Sequence, residues 1–123
     1  MTQYSTVTLL PETVYGTASG NYDGSSQDFY GDVKPAGNYY GGQGNLQTVA
    51  YRVSNFTGVI TVQATLQTDP LQAAWFDVDE YGDGSTVIPA DYHPVNVVGN
   101  FAWLRVKVTG FDSGTIQSVT ASY

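Results

Sequence analysis

Gly58-Val59-Ile60-Thr61-Val62-Gln63-Ala64-Thr65-Leu66 alternates without a break. It sets Ile60, Val62, Ala64 and Leu66 on one side and Val59, Thr61, Gln63 and Thr65 on the other. A period of two with β-branched residues on both faces is a strand, here with its apolar side inward, and Asp69-Pro70 ends it. The preceding stretch, residues 46–54, has the same rhythm: Val49, Tyr51 and Val53 face inward, Ala50, Arg52 and Ser54 outward. Residues 101–109 repeat it, with Ala102, Leu104, Val106 and Val108 on the core side and Trp103, Arg105 and Lys107 opposite. Residues 110–113 read as a turn. Residues 115–123 return with Ile116, Val119, Ala121 and Tyr123 inward if one residue bulges near Gln117 or Ser118. Shorter strands are expected at 6–10, 74–78, 86–88 and 94–98. The chain is therefore all-β: a single antiparallel β-sandwich, jelly-roll-like, of about seven or eight strands.

One domain fits the 123 residues. Within it, residues 1–44 form an N-terminal strand and a Gly/Tyr/Ser-rich loop or arm packed on the domain, and residues 45–123 form the sandwich core. A chain of this size is modestly stable alone, so association with further copies is favoured. Eleven acidic residues against four Lys and Arg give a net charge of −7, which excludes a grip on nucleic acid phosphates. There is no Cys, hence no disulfide frame or thiolate site. No apolar run is long enough for a membrane span, and residues 1–10 lack the features of a signal peptide, so synthesis in a cytoplasm is expected.

Arg52-Val53-Ser54-Asn55-Phe56-Thr57-Gly58-Val59-Ile60 resembles Lys107-Val108-Thr109-Gly110-Phe111-Asp112-Ser113-Gly114-Thr115-Ile116, with one extra residue in the second. Both read as tight hairpins whose turn carries a Phe, the simpler reading being reuse of one turn chemistry and the other a true duplication. Residues 15–44 lack sustained alternation but carry Tyr15, Tyr22, Phe29, Tyr30, Tyr39 and Tyr40. So much ring surface favours burial, either over one end of the same subunit or against a neighbour.

Tests for chemistry give little. The lone His93 sits in Asp91-Tyr92-His93-Pro94 with no nucleophile elbow in the chain, so a Ser-His-acid mechanism is not expected, and His93 reads as an exposed or strand-entry residue. The acids Asp77, Asp79, Glu80 and Asp83 read as a loop between strands rather than a glycosidase pair. They imitate a calcium loop, but Tyr81 stands at its fifth position and Ile88 at its twelfth, which excludes an ordinary EF-hand. An irregular calcium site at Asp77, Asp79 and Asp83 stays open beside a plain turn; otherwise no cofactor is expected. Gly41-Gly42-Gln43-Gly44 lacks the Lys of a phosphate loop. Trp75, Trp103 and exposed tyrosines are candidates for a sugar-stacking strip, or for core and interface anchors. Trp103, Arg105 and Lys107, on one outward face, are interface candidates, as are Tyr39 and Tyr40. The alternative for the former is long stems lying over the sheet.

Asn55-Phe56-Thr57-Gly58, Trp75-Phe76-Asp77-Val78, Gly99-Asn100-Phe101-Ala102-Trp103-Leu104-Arg105-Val106 and Gly114-Thr115-Ile116 follow one another in an order that resembles the small virion structural proteins of tailed bacteriophages, especially contractile-tailed cyanophages. The resemblance spans residues 45–123 and, more loosely, the Gly/Tyr-rich front. It implies a non-enzymatic β-sandwich building block, a multi-copy component of the particle exterior serving as head decoration, neck or tail and fibre. Its partners would be other virion proteins and itself, a trimer being the expected symmetric form. The alternative is a carbohydrate-binding β-sandwich module for host-surface glycans, with Trp103 the leading candidate.

Overall fold

Two strands of 20 residues, β5 (Leu46–Thr65) and β8 (Trp103–Ser122), lie side by side and antiparallel along almost their whole length. The computed structural model describes residues 6–36, 46–67, 69 and 74–123. Around the central pair stand β1 (Thr6–Leu10), β2 (Thr13–Val14), β3 (Phe29–Tyr30), β4 (Lys34–Pro35), β6 (Phe76–Tyr81) and β7 (Asp91–Val98). β1 to β4 pair with β8, and β6 and β7 with β5. The fold is all-β and antiparallel, as the alternation predicts, and its eight strands belong to one hydrogen-bonded sheet rather than two separate ones.

The difference from the expected layout lies in the two Phe-bearing segments. Neither is a hairpin. Residues 55–58 and 110–114 are bends inside β5 and β8, and they lie opposite each other, with Ser54 facing Thr115, Thr57 facing Ser113 and Val59 facing Thr109. Asn55 (φ 52°), Gly110 (φ 62°) and Gly114 (φ 86°) take left-handed backbone that turns a strand out of its plane. A bend in one strand alone would tear the ladder; matched bends keep both strands paired through the corner. A Cβ on Gly114 would collide with the Asn55 carbonyl, so this crossing requires glycine. The bulge is found where alternation needs it, at Gln117, between the pairs Arg52–Ser118 and Val53–Ile116.

The matched bends carry an internal two-fold relation. Val53 pairs with Ile116, and their sequence equivalents Val108 and Ile60 pair with each other; Ser54 with Thr115 maps likewise onto Thr109 with Val59. Phe56 and Phe111, both fully buried, meet near the axis with ring centroids 5.8 Å apart. Outside the bends, Phe56 bonds the backbone of Ile88 and Phe111 that of Gln27; Gly58 O accepts from Gly84 N, and Gly114 O from Tyr15 N.

The bends divide the sheet into two arms. The first holds residues 46–54 of β5 and 115–122 of β8, flanked by β7 and by β1 and β2. The second holds residues 59–65 of β5 and 103–109 of β8, flanked by β6 and by β3 and β4. Their inner faces meet in one core: Val49, Tyr51, Val53, Val119 and Ala121 from the first arm, Ile60, Val62, Ala64, Leu104, Val106 and Val108 from the second, all fully buried. At one edge the contact is polar. Tyr51 stacks on Tyr81 across the arms at 4.8 Å and donates its hydroxyl to Asp79 (2.6 Å), while Tyr81 donates to Asp91 (2.5 Å). At the other edge it is apolar: Gly31 lies so close to Leu9 and Val106 that no side chain fits there.

Several local expectations change. Leu66, expected inward, is 62% exposed because β5 ends at Thr65, whereas Thr61, Gln63 and Thr65, expected outward, are buried. A central strand has neighbours on both sides, and long side chains lie over this stretch from above. Residues 86–88 contribute only a bridge to Phe56, and the strand expected at 74–78 is β6, two residues later. The long strands β5 and β8 are the centre of the sheet, paired on both sides within the chain. The edges on the β5 side are β6, with Asp77, Asp79 and Glu80, and β7, with Asp91 and Pro94, and on the β8 side the two-residue β4 carries Pro35, features that blunt an edge. In the Tyr-rich front segment, Tyr15, Tyr22 and Phe29 pack on Phe111 of the same chain at 5.6, 5.3 and 6.0 Å. Tyr39 and Tyr40 lie outside the described residues.

Candidate functional site

On the outer face of the second arm, one row of the sheet runs from β6 through β5 to β8: Asp77 opposite Gln63, and Gln63 opposite Arg105. Strand spacing sets such neighbours about 5 Å apart, within hydrogen-bond reach of long side chains. The row is closed by two bonds of 2.8 Å: Arg105 Nε donates to Gln63 Oε1, and Gln63 Nε2 donates to Asp77 Oδ1. Gln63 is buried, so its amide is held by both partners at once.

Two rings grip the guanidinium. Arg105 Cζ lies 4.4 Å from the centroid of Tyr30 and 4.4 Å from that of Trp75. Such contacts contribute about 0.5–2 kcal/mol each, more as water is excluded. Tyr30 reaches the site because β3 pairs it with Lys107, and Trp75 because it immediately precedes β6. Among the described residues the guanidinium's terminal nitrogens and the second oxygen of Asp77 make no hydrogen bond. The arrangement is a fixed planar donor beside a fixed acceptor, framed by two aromatic rings, of which Tyr30 is 45% exposed.

Trp103, Arg105 and Lys107 do share the face opposite Leu104, Val106 and Val108, each half-buried. The structure adds Tyr30 and Trp75 to them, and Arg105 is stacked rather than loose over the sheet. The sequence signal for this set is the outward parity of Arg105 combined with Trp75 in the short strand expected at 74–78, which in the structure begins one residue after it. Tyr30 was legible only as one ring of a long front segment.

The acids thought of as one calcium loop are separated. Asp77 and Asp79 are on a strand, not in a loop, and Val78 is bulged: Gln63 faces Asp77 and Val62 faces Asp79. The bulge turns Asp77 to the outer face, where it bonds Gln63, and Asp79 to the inner one, where it accepts from Tyr51. Asp83 lies beyond the strand and accepts from the backbone of Ser85 and Thr86, bonds that hold its carboxyl down at about 2. No group of three metal-ligating side chains comes together among the described residues.

His93 is exposed on β7 opposite Tyr51, its ring 5.5 Å from that of Tyr81. Burial first, and then the bonds to Asp79 and Asp91, raise both tyrosines above their usual range, so they remain proton donors to those carboxylates. This group ties the arms together at the β6 and β7 edge.

The outer face of the first arm is a contrast within the same molecule. Thr48 and Ala50 occupy the positions related to Trp103 and Arg105, next to Ser122 and Thr120 of β8 and Asn96 and Pro94 of β7. Tyr92 pairs with Arg52 as Tyr30 pairs with Lys107, and Arg52 Cζ lies 5.7 Å from the Tyr92 ring. The tyrosine and the cation beside it occur in both arms; the clamped arginine and its second ring occur in one. No family model and no curated protein sequence matches the chain.

Proposed function

We propose that this chain is a non-enzymatic structural protein of the exterior of a tailed-bacteriophage particle, present in many copies and working by non-covalent contact through the outer face of the second arm. The observation that supports this most is the Tyr30–Arg105–Trp75 stack with Trp103 and Lys107 on the same face. Trp, Tyr and Arg are the side chains that concentrate binding energy at the centres of contact surfaces, most effectively when held in place beforehand. The order of motifs along residues 45–123 supports the same reading. The core is made of apolar side chains and tyrosines whose hydroxyls are bonded, which suits a rigid block.

Quantitative mass spectrometry of purified particles, with gold-labelled antibody on intact ones, tests this. Many copies per particle with surface labelling are expected. Absence of the chain from purified particles overturns the reading. In solution the purified protein is expected to associate, with a trimer or larger ring by light scattering.

A further inference from the structure

We propose that the clamped row on the second arm, Asp77, Gln63 and Arg105 between Tyr30 and Trp75, is a binding site for a neutral oligosaccharide. This rests on the reading that the outer face of the second arm is a contact surface, and it names what the surface takes.

The first argument is chemical. A sugar hydroxyl both donates and accepts, so a polyol is met best by donors and acceptors alternating at fixed places. Here Arg105 offers its terminal N–H groups and Asp77 its second carboxylate oxygen, while the bonds through Gln63 keep both from turning away. The C–H faces of a pyranose pack on aromatic rings, and Tyr30 and Trp75 flank the polar row. Three adjacent strands place the row's ends about 10 Å apart, a span suited to two sugar rings.

The second argument is charge. Arg105 and Asp77 cancel within the row, and the whole chain carries −7. A phosphate or a uronic acid would meet Asp77 and the field of an acidic protein, whereas an uncharged ligand meets neither.

The third argument comes from the other arm. Positions related to Trp103 and Arg105 hold Thr48 and Ala50, in an arm with the matching bend, the same antiparallel β5–β8 pairing apart from the bulge at Gln117, and a buried inner face. The sheet therefore closes without an arginine clamped by two rings, and the stack is an addition to the fold rather than a requirement of it.

The test is calorimetry and array binding with uncharged hexose oligosaccharides and bacterial surface polysaccharides. The variants are Trp75→Ala, Arg105→Ala and, on the first arm, Tyr92→Ala. The intact protein is expected to bind, Trp75→Ala and Arg105→Ala to lose binding with their folded circular dichroism unchanged, and Tyr92→Ala to bind as before. Arg105→Lys keeps the charge but not the planar fork and is expected to lose binding too. Should a variant fail to fold, amide shifts of the intact protein on titration with the oligosaccharide locate the site instead. Failure of the intact protein to bind any of these sugars overturns the proposal, as does binding that survives both second-arm substitutions. If sugars do not bind but Arg105→Ala removes the protein from particles, the contact-surface reading stands and the sugar is wrong. If neither property changes in Arg105→Ala, both are wrong.

Discussion

The two arms are alike where they face each other and different where they face away. Inside, Phe56 answers Phe111, Val53 answers Val108, and the pairs on either side of the bends interchange under one two-fold axis. Outside, the first arm carries Thr48, Ala50 and Thr120, and the second Trp103 and Arg105, whose guanidinium is held between two rings. Folding constrains the inner positions through close packing, where a lost methylene is felt, and leaves the outer ones free to diverge. The outer difference is thus where function is to be sought.

The largest test is at the axis itself. Phe56→Ala and Phe111→Ala each empty a fully buried ring site and should cost about 3–5 kcal/mol in denaturant unfolding. Near-equal losses sharpen the internal symmetry. A loss below about 1 kcal/mol at either would break it.

Next come the bends. Gly114→Ala meets both left-handed backbone and the Asn55 carbonyl, and should cost about 2–4 kcal/mol, whereas Gly110→Ala, with the same hand of backbone but open space around it, should cost about 1. Equal costs would mean that the close crossing of the strands is not what Gly114 serves.

The edges offer a pH test. Tyr51 and Tyr81 are raised above their unfolded value near 10, so the stability they contribute is complete below about pH 10 and is lost as pH rises beyond it. The apolar edge at Leu9, Gly31 and Val106 has no such dependence. The double variant Tyr51→Phe, Tyr81→Phe should flatten the alkaline fall in thermal midpoint; an unchanged fall assigns it elsewhere.

The smallest effect concerns a pair of turns. Asp23-Gly24-Ser25-Ser26 and Asp83-Gly84-Ser85-Thr86 each fold around an aspartate that accepts two backbone N–H groups, and those bonds lower both carboxyls to about 2. A depressed carboxylate contributes stability above about pH 4 that disappears as pH falls toward 2. Asp23→Asn and Asp83→Asn should each lessen acid sensitivity slightly and to a similar degree in thermal melts between those values. A large inequality would end the likeness of the turns.

Much of this was legible beforehand. Alternation named the inward residues of both central strands, Leu66 past the end of β5 excepted, and the bulge at Gln117, because period two is imposed wherever one face is buried. The likeness of 52–60 to 107–116 was visible as well, but a Phe between turn-forming residues reads the same for a hairpin and for a bend. Only the partner strand decides, since a bend survives when its neighbour bends with it. Asp79, read as part of a loop, lies on β6, where a bulge at Val78 that no alternation announces turns it to the inner face. Arg105 was readable as outward; its clamp was not, since Tyr30 comes from a segment without sustained alternation and the short strand expected at 74–78 gave Trp75 no partner.

The most direct measurement is the map of backbone amide shifts when the labelled protein is titrated with a neutral oligosaccharide. Shifts confined to the second arm's outer face, around Tyr30, Gln63, Trp75, Asp77 and Arg105, are predicted. Shifts centred on Thr48, Ala50 and Tyr92 of the first arm, or none at all, would contradict the account.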